Sequence, residues 1–170
     1  MAQRTSLRDY QTSLVARLRS AQVTAHTRSK LGLQVGNDSW LVDLIDAGEV
    51  LPVPAITPVP LTHAWFKGVT NIRGRLYSVV DFPAFLGGDE VTIGEQARLL
   101  LVGERFRTAS ALLVNRSLGL RSLEQLQVRA VNGNRSPWIK AEYADTDGKP
   151  WKELDLPQLI QNPDFLGVGS

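Results

Sequence analysis

Residues 65–86, WFKGVTNIRGRLYSVVDFPAFL, set a charged turn, Asn71-Ile72-Arg73-Gly74, between two apolar runs. Gly74 supplies the permissive backbone that a tight reversal needs. Val69, Ile72, Leu76, Val79 and Val80 are the β-branched or apolar residues of paired, mostly buried strands. The stretch therefore predicts two strands meeting at a corner that carries Asn71 and Arg73. Nothing in it suggests catalysis. A polar pair held on such a corner either recognises something or ties the fold together.

Working toward the N-terminus, Val50-Leu51 runs into a segment with Pro52, Pro54, Pro58 and Pro60, which excludes a helix interior or a central strand and predicts an extended surface crossing. Before it, Leu31, Leu33 and Val35 alternate, Gly36-Asn37-Asp38 makes a turn, and Trp40-Leu41-Val42 begins a return strand. Toward the C-terminus the hairpin recurs: Arg98 to Val102, a turn at Gly103-Glu104-Arg105, and Ala109 to Val114. A second correspondence is closer. Gly74 is followed by Asp81, Phe82, Pro83, Phe85 and Leu86, and Gly148 by Asp155, Leu156, Pro157, Leu159 and Ile160 at the same offsets. Each copy predicts a strand that leaves a glycine turn and ends at an Asp capping a short helix with Pro in its first turn.

Two copies of hairpin, extended link, glycine corner, strand and short helix predict a mainly β fold of two small barrels related by an internal repeat. Each would hold about 60 to 70 residues, near the size at which a lone core is marginal, so the two are expected to share one apolar core. A groove between them is the natural binding surface.

The 170 residues contain no cysteine, which removes disulfide scaffolds, thiolate metal sites and cysteine nucleophiles together. Residues 1–30 carry six basic side chains against the single acid Asp9, a net +5. Of the chain's 19 basic and 17 acidic residues that leaves 13 and 16, a net −3 for residues 31–170. Only the leader is basic. Within it Ser6 and Asp9 resemble a capping box, and Leu7, Tyr10, Leu14, Leu18 and Ala21 follow at helical spacing. The leader thus predicts an amphipathic helix ending before Thr27, whose apolar stripe docks on its own domain or on a partner. The opening MAQRTSLRDY lacks the apolar core of a secretory signal. No run approaches the roughly 18 apolar residues of a membrane span. The expectation is a cytoplasmic protein without membrane insertion.

No catalytic or metal-binding motif emerges. His26 and His63 are the only histidines and neither sits in a His-Glu-x-x-His pattern; a nucleophile elbow, a P-loop and a dinucleotide fingerprint are all missing. The expectation is a protein without catalytic residues, cofactor or metal. An alternative is single-strand nucleic-acid binding on a small barrel, through Arg73, Arg75, Tyr77 and the leader. The acidic balance of residues 31–170 speaks against it, and no nucleic-acid partner is expected.

Taken together these residues resemble the CheW family, adaptors that couple chemoreceptors to a histidine kinase. Phe66-Lys67-Gly68-Val69-Thr70-Asn71-Ile72-Arg73-Gly74 is close to the family's Gly-Val-x-Asn-Leu-Arg-Gly core. Val79-Val80-Asp81-Phe82, Glu49-Val50-Leu51, Leu113-Val114-Asn115 and Leu154-Asp155-Leu156-Pro157 support it. The chain departs from the pattern at residues 138–145, WIKAEYAD, and at Asn115, where Asp is common. The leader, the Trp65 start and the Asp81–Leu86 run are more similar to the PilI members associated with type IV pilus twitching motility.

The resemblance implies two SH3-like β-barrel subdomains around a shared core, interleaved or successive, with a helical extension over residues 1–30 and the CheW-like domain over 31–170. It implies a non-enzymatic adaptor whose partners are the regulatory domain of a CheA-like histidine kinase and the cytoplasmic tip of a methyl-accepting chemoreceptor, monomeric alone and assembled in arrays. The partner-binding positions carried over are Glu49, Val50, Gly68, Asn71, Arg73 and Gly74. Arg73 and Glu49 are expected to pair, as a brace, a partner contact, or both.

Overall fold

The structure, a computed structural model, describes residues 29–130 and 136–169. The leader helix expected before Ser29 lies outside them. Eleven strands are present among the described residues: β1 (Ser29–Val35), β2 (Asp38–Asp43), β3 (Ala47–Pro52), β4 (Phe66–Ile72), β5 (Arg75–Asp81), β6 (Arg98–Val102), β7 (Ser110–Val114), β8 (Arg116–Ser122), β9 (Gln127–Arg129), β10 (Ile139–Ala144) and β11 (Pro150–Leu154). Short helices α1 (Phe82–Phe85), α2 (Leu156–Gln161) and α3 (Pro163–Leu166) follow β5 and β11. The fold is mainly β, in two sheets of order β8-β1-β2-β11-β10-β9 and β3-β6-β7-β5-β4.

The strands combine in an order the linear repeat does not suggest. The β1–β2 hairpin does not join the 65–86 segment that follows it; β2 pairs in parallel with β11, Ser39 opposite Trp151 and Val42 opposite Leu154. In the other sheet β7 pairs in parallel with β5, Ser78 opposite Ser110 and Asp81 opposite Leu113. Parallel neighbours need a long crossover, so each hairpin sits beside a strand reached through other elements. The repeat is thus circularly permuted, and the hairpin completing the C-terminal sheet comes from the other end of the chain.

The two sheets enclose one core. Leu31, Leu33, Val35, Trp40 and Val42 meet Val80, Leu100, Val102, Leu112 and Val114, with Phe82, Leu156, Leu159 and Phe165 closing its end. The alternate residues Leu99, Leu101, Ala111 and Leu113 face the interior of the second sheet with Tyr77 and Val79. Burial on both faces explains why β6 and β7 read as unbroken apolar runs rather than alternating ones.

Both expected caps form. The carboxylates of Asp81 and Asp155 accept from the backbone N–H groups of Ala84 at 3.2 Å and Gln158 at 3.1 Å, with Pro83 and Pro157 in the first turns. Asp81 is fully buried and also accepts from Val91 N–H at 2.9 Å. Burial pushes its carboxyl above the usual range, against those hydrogen bonds and nearby Lys67. Asp155 caps a solvent-side turn, so Asp155→Ala is expected to cost about 1 kcal/mol in urea unfolding.

The first sheet holds a buried ionic cluster. Glu153, 2% exposed, takes Lys30 Nζ at 3.1 Å, Lys140 Nζ at 3.0 Å and the Tyr143 hydroxyl at 2.7 Å. Lys30, 4% exposed, also donates to Asp43 at 2.8 Å. Burial alone would raise the Glu153 carboxyl, but the hydrogen bonds from Tyr143, Lys140 and Lys30 hold it below its ordinary value. The same burial and hydrogen bond push the Tyr143 hydroxyl well up.

Candidate functional site

The corner between β4 and β5 is a two-residue loop. Ile72 pairs with Arg75, and both loop residues are left-handed, Arg73 at φ 52° and Gly74 at φ 82°. That is the type I′ geometry matching the strands' twist, for which Asn-Gly is the usual solution. Here Arg stands in the first position. Asn71 spans the turn instead, its side-chain oxygen accepting from Gly74 N–H at 2.8 Å.

Arg73 reaches across the sheet to its opposite edge. Nη1 and Nη2 donate to Glu49 Oε2 and Oε1, each at 2.8 Å, a bidentate pair. Glu49 is aimed there by a bulge in β3: Ala47 opposes Val102 and Val50 opposes Leu100, leaving Gly48 and Glu49 against Leu101 alone. The pair remains in solvent, with side-chain exposures of 77% for Arg73 and 43% for Glu49. Beneath it lies an open hollow of about 360 Å³ lined by Ile72, Arg75, Tyr77, Leu101 and Glu104.

The six residues carried over from the resemblance do not share one surface. Glu49, Asn71, Arg73 and Gly74 form the corner. Val50 is half-buried and packs against the shared core. Gly68 is buried under the proline-rich segment, where an added Cβ would stand 2.0 Å from the Thr57 carbonyl oxygen. Its part is to let Thr57 bridge Val69, through hydrogen bonds of 2.8 and 2.9 Å that join the proline-rich segment to the β4 edge of the second sheet. Gly68 therefore serves the close approach of the proline-rich segment to β4.

The hollow adds Arg75 and Glu104, 3.9 Å apart, to the site. Neither belongs to the corner motif, and their approach depends on how β5 packs beside the turn after β6. Arg75 also lies over the Tyr77 ring at 5.4 Å. Tyr77 is only 7% exposed, so its face is closed to a stacking base and the nucleic-acid alternative loses its aromatic platform. His63 stacks on Trp65 at 5.5 Å. Among the described residues no three His, Asp or Glu side chains converge as a metal set, and no helix is long and apolar enough to cross a membrane.

Comparisons with known proteins agree with this architecture. A family model described as CheW-like domain matches residues 30–164. Protein PilI of Pseudomonas aeruginosa is 28% identical over 159 residues, covering 91% of this chain and 88% of its own. Chemotaxis protein CheW of Thermotoga maritima is 26% identical over 133 residues, covering 77% and 86%. Among solved structures, scaffolding protein TtCheW from Thermoanaerobacter tengcongensis superposes with a TM-score of 0.65 at 18% identity, over 81% of this chain and 94% of that one.

Proposed function

This chain belongs to the CheW-like domain family, and we propose that it joins the cytoplasmic tip of a methyl-accepting chemoreceptor to the regulatory domain of a CheA-like histidine kinase, in a pathway controlling type IV pili. It is a scaffold protein of chemosensory pathways and not an enzyme. The pilus assignment is supported by the similarity to PilI along nearly the whole chain. The reading places the protein in the cytoplasm, monomeric alone and held in arrays by several modest contacts acting together. Leu76, 62% exposed on β5, and the β3 edge suit the kinase's similar barrel, and the Arg73 corner suits the receptor helix.

The observation that carries this surface is the Arg73–Glu49 pair on a left-handed corner. Holding a non-glycine residue there costs about 1–2 kcal/mol. An exposed ion pair typically returns about 0–1 kcal/mol, somewhat more where it is bidentate. Bracing alone therefore does little more than offset the strain, and Asn or Gly would turn the corner with less of it. A guanidinium pre-aligned by Glu49 loses less freedom when a partner binds, which supports a contact role.

Titration with the kinase regulatory domain and a receptor hairpin tests this. Arg73→Glu is expected to weaken receptor binding about 10- to 100-fold, as for an arginine hot spot, while urea stability moves by less than about 1 kcal/mol. A Glu49→Arg, Arg73→Glu double variant restores the pair with reversed polarity and is expected not to restore affinity. If it does, Arg73 is only a brace. Wild-type protein binding neither partner would end the adaptor reading.

A further inference from the structure

A second hollow, of about 310 Å³, opens where the proline-rich segment meets the C-terminal helices, with Trp65, Phe85, Trp138, His63 and Asp164 in its wall. Phe85 stands 5.2 Å from Trp65 and 5.4 Å from Trp138, so the lining is a continuous aromatic cluster. Beside it Leu61 is 85% and Leu166 63% exposed. Leu61 also holds a left-handed φ of 58°, a strained setting for a leucine displayed to solvent. Aromatic faces with one carboxylate suit a segment that is both apolar and cationic.

The chain contains such a segment. Residues 1–28 carry five arginines against Asp9 and the apolar series Leu7, Tyr10, Leu14, Leu18 and Ala21, and they lie outside the described residues. The sheet register shows where they enter. Leu31, Val42, Leu154 and Ile139 form one row across β1, β2, β11 and β10. Ser29 and Trp138 therefore sit at the same end of the first sheet, three strand spacings or about 15 Å apart. With a helix ending before Thr27, residues 22–28 would still span about 14 Å, and about 24 Å when fully extended. We infer that the leader lies over the aromatic hollow of its own molecule, its leucines against Leu61 and Leu166 and its arginines toward the rings and Asp164.

Tethering at this distance gives the leader a local concentration of about millimolar, which favours its own molecule over a second copy. The relatives fit a built-in element: the CheW-like model spans 30–164, whereas the PilI alignment covers 91% of the chain. Only six residues follow 164, so that alignment must enter the leader. This inference is independent of the adaptor reading, because it is tested on the protein alone.

The chain has no cysteine, so a nitroxide placed at Thr12→Cys in the full-length protein is unique. It is expected to broaden the Trp65 and Trp138 indole N–H resonances more than that of Trp151, which is buried among Leu41 and Tyr143. Adding Leu14→Asp and Leu18→Asp is expected to sharpen them again, with the remaining spectrum unchanged as the check on folding. Equal broadening of all indoles, or broadening that survives the aspartates, overturns the inference. So does broadening seen only between molecules, when spin-labelled protein is mixed with isotope-labelled protein.

Discussion

Glu153→Ala is expected to lower the unfolding free energy by about 3 kcal/mol or more. The substitution strands Lys30, whose side chain is 5% exposed, with Asp43 as its remaining anion, and leaves the buried Tyr143 hydroxyl without its acceptor. Against a typical total of about 5–15 kcal/mol, that is a large fraction. Urea unfolding at neutral pH measures it, and a loss below about 1 kcal/mol would show that water repairs the cluster. The charge itself is isolated by Glu153→Gln. Because folding holds the Glu153 carboxyl below its ordinary value of 4.5, its ionisation stabilises the protein above that value, and the contribution fades as pH falls through the lowered one. Lys30 is raised from 10.5, despite the opposing pull of burial, by its bonds to Asp43 and Glu153, so its contribution is lost only at strongly alkaline pH. The difference between wild type and Glu153→Gln should therefore be steady through neutrality and close in acid.

Gly68→Ala is the second large effect, and its origin is steric. The new Cβ would stand 2.0 Å from the Thr57 carbonyl oxygen, 2.7 Å from its carbon and 2.8 Å from Pro58 Cα, all backbone atoms that cannot swing aside. The residue also sits at φ 120°, which L side chains rarely adopt. A loss of about 3 kcal/mol is expected from overpacking, and the Thr57–Val69 bridge should open. Hydrogen exchange at the Thr57 and Val69 amides would report the opening directly. Gly74→Ala is the matched control: its φ is 82° but nothing lies within 4 Å of the added Cβ. It should cost only about 1–2 kcal/mol, the conformational part alone. Equal losses at the two positions would mean that Gly68 is needed for conformation and not for close approach.

Local chemistry was largely legible in the sequence. The corner, the hairpins and both Asp-x-Pro helix starts depend on residues within a few positions of one another. Gly74, Asp81 and Asp155 announce them. The pairing of Arg73 with Glu49 was legible through a family resemblance and not from spacing, because the bulge at Gly48-Glu49 that aims the carboxylate is set by Leu101 on a distant strand. That Gly68 serves backbone geometry was legible, but what approaches it was not, since that is the path of a proline-rich link and not its neighbours in the strand. The Lys30–Glu153 contact joins residues from opposite ends of the chain, and periodicity carries no information about such partners. The exchange of hairpins between the halves was hidden for the same reason. A repeat tells which pieces are alike, while its closure is decided by which apolar faces meet.

That exchange bears on how the chain is made. Ser39 and its partner Trp151 are about 110 residues apart, and at about 5–20 residues per second a ribosome needs roughly 6 to 20 s to travel between them. During that interval the second sheet, encoded without interruption from β3 to β7, can assemble, while the β1–β2 hairpin waits with Trp40 and Leu33 lacking their final cover. The nascent chain is therefore most vulnerable at the β1–β2 hairpin until β11 emerges. Variants that weaken β11 should lower the yield of soluble protein more than their effect on the finished fold accounts for.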